Sequence, residues 1–366
     1  MMLPATAAAP LAAATPAAPP IATVRNTTLY ALAYLAGLAA TGRAARGGRA
    51  ADRRRRRGGR GVPDGDVDEE ATGEGERDDD DGEAQPSCAD GGDAARAAAR
   101  RYRELRATAP ARQVRAAPRR GGGRAWDAFF AAHSGRFFKD RHYLVEEHAS
   151  LARMLQTGGV RMCELGCGAG NAAVPLLEAF DGQVAAFAGV DASAEAVELF
   201  RRKVAASGGE RAGGGATRRA LRCDVSLGVA DVADARSVPM PASAFDVCLL
   251  VFVLSAIEPA RMANVARHAF ERLRPGGRLL VRDYAWGDQA QKRFPAAQRM
   301  GRGLYVRQDG TLSFFFTVEG LCALMSDAGF KTEFCGVVAR DVSNRARRVS
   351  MQRLWVGAEF VKPRSA

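Results

Sequence analysis

Before Asp52 the chain contains no aspartate or glutamate. Its only charges there are Arg25, Arg43, Arg46 and Arg49, scattered through an alanine-rich stretch. That pattern resembles an organelle transit peptide. The apolar part of it, Leu29–Ala40, falls short of the roughly 20 residues a bilayer span needs, so no membrane insertion is expected. The seven cysteines (Cys88, Cys163, Cys167, Cys223, Cys248, Cys322, Cys335) include no C-x-x-C pair, which argues against zinc. Their odd number and mostly apolar surroundings fit reduced thiols in a reducing compartment. Histidine is scarce: His133, His142, His148 and His268 stand apart from any carboxylate cluster, so no metal is expected.

What the chain has in quantity is arginine, alanine, glycine and aspartate, very unevenly spread over its 366 residues. Three parts follow. Residues 1–60 read as a targeting or low-complexity N-terminus. The compartment is a mitochondrion or plastid if this is a transit peptide, and the cytoplasm otherwise. Within it, Arg53–Arg57 is compatible with a nuclear signal or a weak RNA tether, but a basic run of this kind is usually just solvated. Residues 61–123 read as a disordered acidic and Arg/Gly-rich linker: Asp64–Glu83 is acidic and glycine-rich, and low hydrophobicity with dense charge cannot support a core. Ala94–Thr108 has the composition of a short helix. Residues 124–363 are ample for one folded domain. The net charge of +12 suits a polyanionic partner, although much of it lies in the tail.

The folded part is organised around Arg161–Asn171, R-M-C-E-L-G-C-G-A-G-N. Gly166, Gly168 and Gly170 alternate with small residues between an apolar strand and a helix. Glycine allows a tight turn and a close backbone approach to a ligand. Glu164 precedes the turn, and Asp191 follows about 20 residues later at the end of the apolar segment Val184–Val190, placed for ribose hydroxyls. A dinucleotide fingerprint, G-x-G-x-x-G/A, needs Gly or Ala at position 171, and the residue is Asn171. The sequence reads E-x-G-x-G-x-G instead, which resembles motif I of S-adenosylmethionine-dependent methyltransferases.

Upstream, Trp126–Leu144 interleaves rings and cations: Trp126, Phe129 and Phe130 on one helical turn, then Phe137, Phe138, Lys139, Arg141, His142 and Tyr143 after a Ser-Gly break. Such a segment packs as a lid over the core, and its rings and cations also suit bases and phosphates. W-D-x-F-F…F-F-K-D-R-H-Y-L followed by E-x-G-C-G-x-G-N resembles the eukaryotic tRNA N3-methylcytidine methyltransferases. Phe252–Pro259 (F-V-L-S-A-I-E-P), Arg282–Tyr284 (R-D-Y), Tyr305–Thr311 (Y-V-R-Q-D-G-T), Phe315–Thr317 (F-F-T) and Asn344-Arg345 resemble that family in the same order. The resemblance covers about Trp126 to Pro363. It implies a Rossmann-like class I α/β fold, with a mostly parallel seven-stranded sheet, an antiparallel last strand, and an insertion at 285–317. It implies S-adenosylmethionine as donor and tRNA as partner, with cytidine 32 of the anticodon loop as acceptor. An aminoacyl-tRNA synthetase is needed by some relatives and is left open here. One departure is mild: Phe130 stands where some members have Tyr.

On this reading the donor-binding candidates are Trp126, Phe130, Glu164, Gly166, Gly168, Gly170, Asp191 and Val251. Asp224 and Val225 join them as adenine contacts by resemblance, at the end of a third strand placed over Ala220–Val225. The near-continuous apolar run Ala244–Leu254 predicts a fourth strand buried on both faces, and Pro259–Leu273 a helix. Arg278–Tyr284 is a fifth strand, and Lys331–Val338 and Met351–Phe360 a closing antiparallel pair. In the insertion, Gln308-Asp309-Gly310 predicts a hairpin turn. Substrate candidates are Phe138, Lys139, Arg141, His142, Arg293 and Arg307. Arg345, Arg347 and Arg348 read equally as phosphate contacts or as solvated.

Cytosine N3 carries an in-plane lone pair and needs no strong base, so catalysis is mainly orientation. A carboxylate accepting from the exocyclic amine would select cytosine over uracil. Asp283 is the candidate for that role, with Tyr284 beside it. No N-P-P-Y or D-P-P-Y tetrapeptide follows the fourth strand, which argues against adenine N6 chemistry. No cysteine sits where it would attack a pyrimidine C6. Two other readings stay open: the same fold acting on a small molecule or protein, and a non-catalytic RNA-binding protein.

Overall fold

The computed structural model describes residues 122–133, 137–207, 221–236, 238–344 and 349–364. The expectations for residues 1–121, including the helix at Ala94–Thr108, and those for Arg345, Arg347 and Arg348 lie outside the described residues.

In chain order the elements are α1 (Gly123–His133), α2 (Leu144–Glu147), α3 (Ala149–Thr157), β1 (Val160–Leu165), α4 (Ala173–Ala179), β2 (Val184–Asp191), α5 (Ala194–Ser207), β3 (Asp224–Val229), β4 (Phe245–Val251), α6 (Met262–Arg272), β5 (Leu273–Tyr284), α7 (Gln289–Lys292), β6 (Arg299–Gly301), β7 (Leu304–Val306), β8 (Leu312–Phe314), α8 (Val318–Asp327), β9 (Lys331–Asn344) and β10 (Val349–Val361). Seven strands form one sheet in the order β3-β2-β1-β4-β5-β10-β9. The first five run parallel. β10 is antiparallel to both of its neighbours, so the expected architecture is present.

Every residue of β4 is buried, as an apolar strand covered on both faces requires. One face of the sheet packs Cys163, Val190, Cys248, Leu279 and Val281 against Val265 and Ala269 of α6 and Leu321 and Leu324 of α8. The other face packs Met162, Phe187, Val247, Leu249 and Leu280 against Leu151 and Leu155 of α3 and Leu177 of α4. The alternation of Leu279, Leu280 and Val281 between these two clusters is the strand's period of two, and it decides where Arg282, Asp283 and Tyr284 point.

The sequence placed the third strand too early. β3 begins at Asp224 and runs to Val229, with Asp224 opposite Ala186 and Val229 opposite Asp191. Asp224 therefore opens the strand, and Val225 follows it at the edge away from the glycine turn. The closing pair is longer than expected and extends to Asn344 and Val349. The insertion folds as a three-stranded antiparallel sheet, β6-β7-β8. Its hairpin turns at Gly310, with φ +81° and its N–H donating to Arg307 O.

Candidate active site

Parallel strands leave a crevice at their carboxyl ends. Here it is a cavity of about 470 Å³, within the range of small-molecule sites. In the glycine turn beside it, Gly166 has φ +75° and Gly170 φ +78°. A Cβ on Gly166 would lie 2.6 Å from a Val253 methyl, and one on Gly170 2.6 Å from the Phe200 ring. Gly166 lines the cavity; Gly170 does not. Its close approach to Phe200 ties the turn to α5.

Besides Asp140 of the lid segment, three acids line this half of the cavity, each near or just beyond the end of a strand: Glu164, Asp191 and Asp231. Asp191 accepts from Gly168 N (2.8 Å) and Ser193 N (2.9 Å), so it fixes the glycine loop and the start of α5. Burial raises its carboxyl above the ordinary range, and those N–H donors oppose the rise. Glu164 is 1% exposed, and its Oε2 has no hydrogen-bond partner among the described residues. Burial pushes its carboxyl up to about 8; Arg141 opposes this and Asp191 adds to it. An orphaned acid in a pocket wall is set up to receive a cation or a donor group from a ligand.

Asp231 and Val232 occupy the place expected of Asp224 and Val225. Both line the cavity, and neither Asp224 nor Val225 does. The reason is the strand boundary: ligands meet the carboxyl end of β3, and Asp224 sits at its amino end. A signal was present, because Val225, Leu227 and Val229 alternate with polar or small residues and extend the strand to Val229.

α1 covers this half. Phe129 and Phe130 are buried against Ala169 and Ala196, with Trp126, Phe137 and Phe138 packed on them. Asn171 explains its departure from the dinucleotide pattern. Its Nδ2 donates to Phe138 O (2.8 Å) and Asp140 Oδ1 (3.0 Å), and Asn171 O accepts from Arg141 N (2.8 Å). The side chain that a glycine or alanine lacks bolts the F-F-K-D-R segment onto the glycine turn. Arg141 then reaches Val251 O (3.3 Å) and lies 4.7 Å from the Phe252 ring centre. Phe252 has φ +58°, an uncommon conformation for a bulky residue and the kind that clusters at functional sites.

A family model described as a methyltransferase domain matches residues 97–333. The tRNA N(3)-methylcytidine methyltransferase Mettl2 of Drosophila melanogaster is 40% identical over 246 residues, which are 65% of this chain and 70% of that protein. The tRNA N(3)-cytidine methyltransferase METTL6 of Homo sapiens is 35% identical over 240 residues, 65% of this chain and 79% of that one. The chain belongs to the tRNA N(3)-cytidine methyltransferase family. Among solved structures, an S-adenosylmethionine-dependent methyltransferase from Methanosarcina mazei aligns over 60% of this chain and 99% of that one, at 18% identity and a TM-score of 0.45.

The residues present fit the methyl donor of this family. The orphaned Glu164 Oε2 and the acids Asp191 and Asp231 offer acceptors to the donor's ammonium, ribose and adenine N–H groups, and the lid rings offer an apolar cover. Of the candidates read from the sequence, Trp126, Phe130, Glu164, Gly166, Gly168, Asp191, Val251, Phe138, Lys139, Arg141, Tyr284 and Arg307 line the cavity. His142 and Arg293 are exposed and lie outside it.

Asp283 stands apart from the other candidates. It is fully buried and does not line the cavity. The pleat turns it to the face opposite Arg282 and Tyr284, toward α6 and α8. There its Oδ2 accepts from Ser255 N (3.0 Å) and its Oδ1 from Tyr284 N (2.9 Å). Burial pushes its carboxyl up to about 6, opposed by those donors. It acts as a positioning residue that fixes Ser255 and Tyr284, both of which do line the cavity.

The far half of the cavity is cationic. Arg307 of the insertion donates to Tyr284 Oη (3.2 Å). Arg282, Arg340, Arg353, Tyr143 and Trp355 complete the wall. No local motif marks Arg340, Arg353 or Trp355; β9 and β10 bring them in. Among the described residues no group of three or more His, Cys, Asp or Glu is placed to hold a metal, and no helix is long and apolar enough to cross a membrane.

Proposed function

We propose that the protein transfers a methyl group from S-adenosylmethionine to N3 of cytidine in tRNA, with cytidine 32 of the anticodon loop as acceptor. The observation that supports this best is the split cavity. Acids suited to a cationic nucleoside donor line one side, arginines and rings suited to a nucleic acid line the other, and the F-F-K-D-R segment lies between them. A small neutral acceptor would leave the cationic half without a purpose.

The donor supplies an electrophilic methyl on a sulfonium. The chain's own residues supply position and cover. Asp191 and Glu164 hold the polar parts of the donor, and α1 closes over it to exclude water. Tyr284, held by Asp283 and by Arg307, sits 5.0 Å ring to ring from Phe252, and the two rings form one apolar wall on which a planar base can stack. Cytosine N3 is nucleophilic in the neutral base, so aligning it needs no general base. A base paired within a helix is inaccessible, which favours a loop nucleotide or one that is flipped out.

The test is methyl transfer from labelled S-adenosylmethionine to total tRNA, followed by nucleoside mass spectrometry. A 3-methylcytidine product supports the reading, and mapping the modified nucleotide to any position other than 32 would overturn its finer part. A second arm adds an aminoacyl-tRNA synthetase of the serine class, the partner some relatives need. Donor binding with no tRNA product in either arm would overturn the reading.

A further inference from the structure

Five side chains on the far wall of the cavity alternate cation and ring. The Arg282 guanidinium lies 4.9 Å from the Tyr143 ring centre and 4.8 Å from that of Trp355. Arg340 lies 5.8 Å from Tyr143, and Arg353 5.5 Å from Trp355. The order is Arg340–Tyr143–Arg282–Trp355–Arg353, and all five line the cavity. They come from β5, β9, β10 and the segment just before α2. Neighbouring strands lie about 4.8 Å apart, so the ladder reaches about 10 Å sideways from Tyr284.

Two carboxylates set its geometry. Glu147 accepts from Arg282 Nη1 through one oxygen and from Arg340 Nη2 (2.9 Å) through the other. Asp288, fully buried at the start of α7, accepts Arg353 Nε at 3.1 Å on both oxygens, and Leu354 N at 2.5 Å. Three guanidiniums thus share two carboxylates. Arg282 is 2% exposed, and its Nε has no partner among the described residues. A purely structural cluster would balance its charge. Among the described residues this one keeps an excess positive charge and an unpartnered buried donor, with Arg307 beside it.

Guanidiniums held flat by rings present a fork that matches phosphate oxygens. We propose that the ladder is the seat of the RNA backbone phosphates flanking the acceptor base. Arg340 and Arg353 are the phosphate contacts, and Glu147 is a positioning residue that sets Arg340 and Arg282 together. The proposal rests on the acceptor being an RNA, as read above. The rings serve as spacers that fix the guanidiniums, since Trp355 already has an arginine near it on two sides.

The test is equilibrium binding of the full chain to an unmodified tRNA transcript over a salt series, with donor affinity measured alongside. Arg340 is suited to substitution because its side chain is 46% exposed. Arg340→Gln should weaken tRNA binding about tenfold and reduce the slope of log K against log salt by about 1, with donor affinity unchanged. Glu147→Gln should raise KM for tRNA with kcat nearly unchanged, and Glu147→Asp should recover part of the loss. An Arg340→Gln protein with wild-type tRNA affinity and salt slope overturns the proposal, and so does one that loses donor affinity to the same extent. If the wild-type protein binds tRNA in this arginine-dependent way but makes no 3-methylcytidine, the ladder stands and the methyl-transfer reading falls. If it binds no tRNA, the ladder falls as well.

Discussion

On the β1–β2–β3 side of the cavity, the polar residues come from the turns that close each strand. Glu164 and Asp191 belong to one βαβ unit, and Asp191 reaches Gly168 across only 23 positions of chain. On the β5–β10–β9 side the wall is assembled from remote segments: Glu147 meets Arg282 across 135 positions and Arg340 across 193. The first side is acidic and local; the second is cationic and long-range. A donor pocket for one small cation can be encoded in a single turn. A wall for an extended polyanion needs residues spread along a surface, and only strand pairing brings those together.

The sharpest way to break the comparison is to cut the second side alone. Asp288→Ala removes the buried carboxylate that holds Arg353 and Leu354 N, and leaves a half-buried guanidinium without its partner. Removing one member of a buried pair costs about 4 kcal/mol, which for a domain of this size lowers the melting temperature on the order of 10 °C. Thermal unfolding measures the cost. Titration of the folded protein at low temperature should show tRNA affinity reduced and donor affinity kept. Equal losses in both would mean that the two sides are one unit.

The converse cut is Asp191→Ala. It removes the acceptor for Gly168 N and Ser193 N as well as the expected ribose contact. Charge-assisted hydrogen bonds contribute about 1.5–3 kcal/mol each, so donor affinity should fall about 100-fold by calorimetry, while tRNA affinity stays within about twofold. A parallel loss of tRNA binding would show that the glycine turn also shapes the far wall.

These two sides were unequally legible. The E-x-G-x-G-x-G turn, Asp191 and the F-F-K-D-R segment declare themselves because each is a contiguous run whose chemistry is local. Asp231 was one strand boundary away from being read: the glycine-rich stretch before β3 offers no firm start, and the strand was begun and ended too soon. Asp283 is hard to place from sequence for a different reason. R-D-Y marks the right strand end, yet a shift of one residue along a strand reverses the face, and the sequence does not say which of three adjacent polar residues points at the ligand. Arg340, Arg353 and Trp355 carry no local signature. Their role depends on the pairing of β10 with β5 and β9, which no short window contains.

The misplacement at β3 gives a prediction that sharpens the donor side. Asp231→Ala should reduce donor affinity about tenfold, the scale of one charged contact. Asp231 also accepts from Arg261 Nη2 (2.8 Å) and Ala233 N (2.9 Å), so part of the loss is loop order. Asp224→Ala, at the amino end of the same strand, should leave donor affinity unchanged. Isothermal titration of the two variants side by side decides it, and a loss only in the Asp224 variant would restore the sequence-based placement.

The smallest expected effect is a pH dependence confined to the acidic side. Glu164 stands near 8 in the free protein, raised chiefly by burial, so below about pH 8 it holds a proton. A ligand carrying a sulfonium and an ammonium favours the carboxylate, so binding expels that proton. Donor affinity should therefore rise as pH rises toward 8, and the gain ends where the donor's own α-ammonium loses its proton. If only the ionised form binds, the carboxyl alone gives a gain of at most about fivefold between pH 7 and pH 8, set by the fraction ionised. Calorimetry in buffers of different ionisation enthalpy should detect the proton released at pH 7. Glu164→Gln should flatten the profile and abolish the release. The cationic side offers the contrast: guanidinium chemistry brings no titration near neutrality, so tRNA affinity over the same pH range should stay flat. A tRNA profile that follows the donor profile, or a donor profile that survives Glu164→Gln, would place the titrating group elsewhere and end the separation of the two sides.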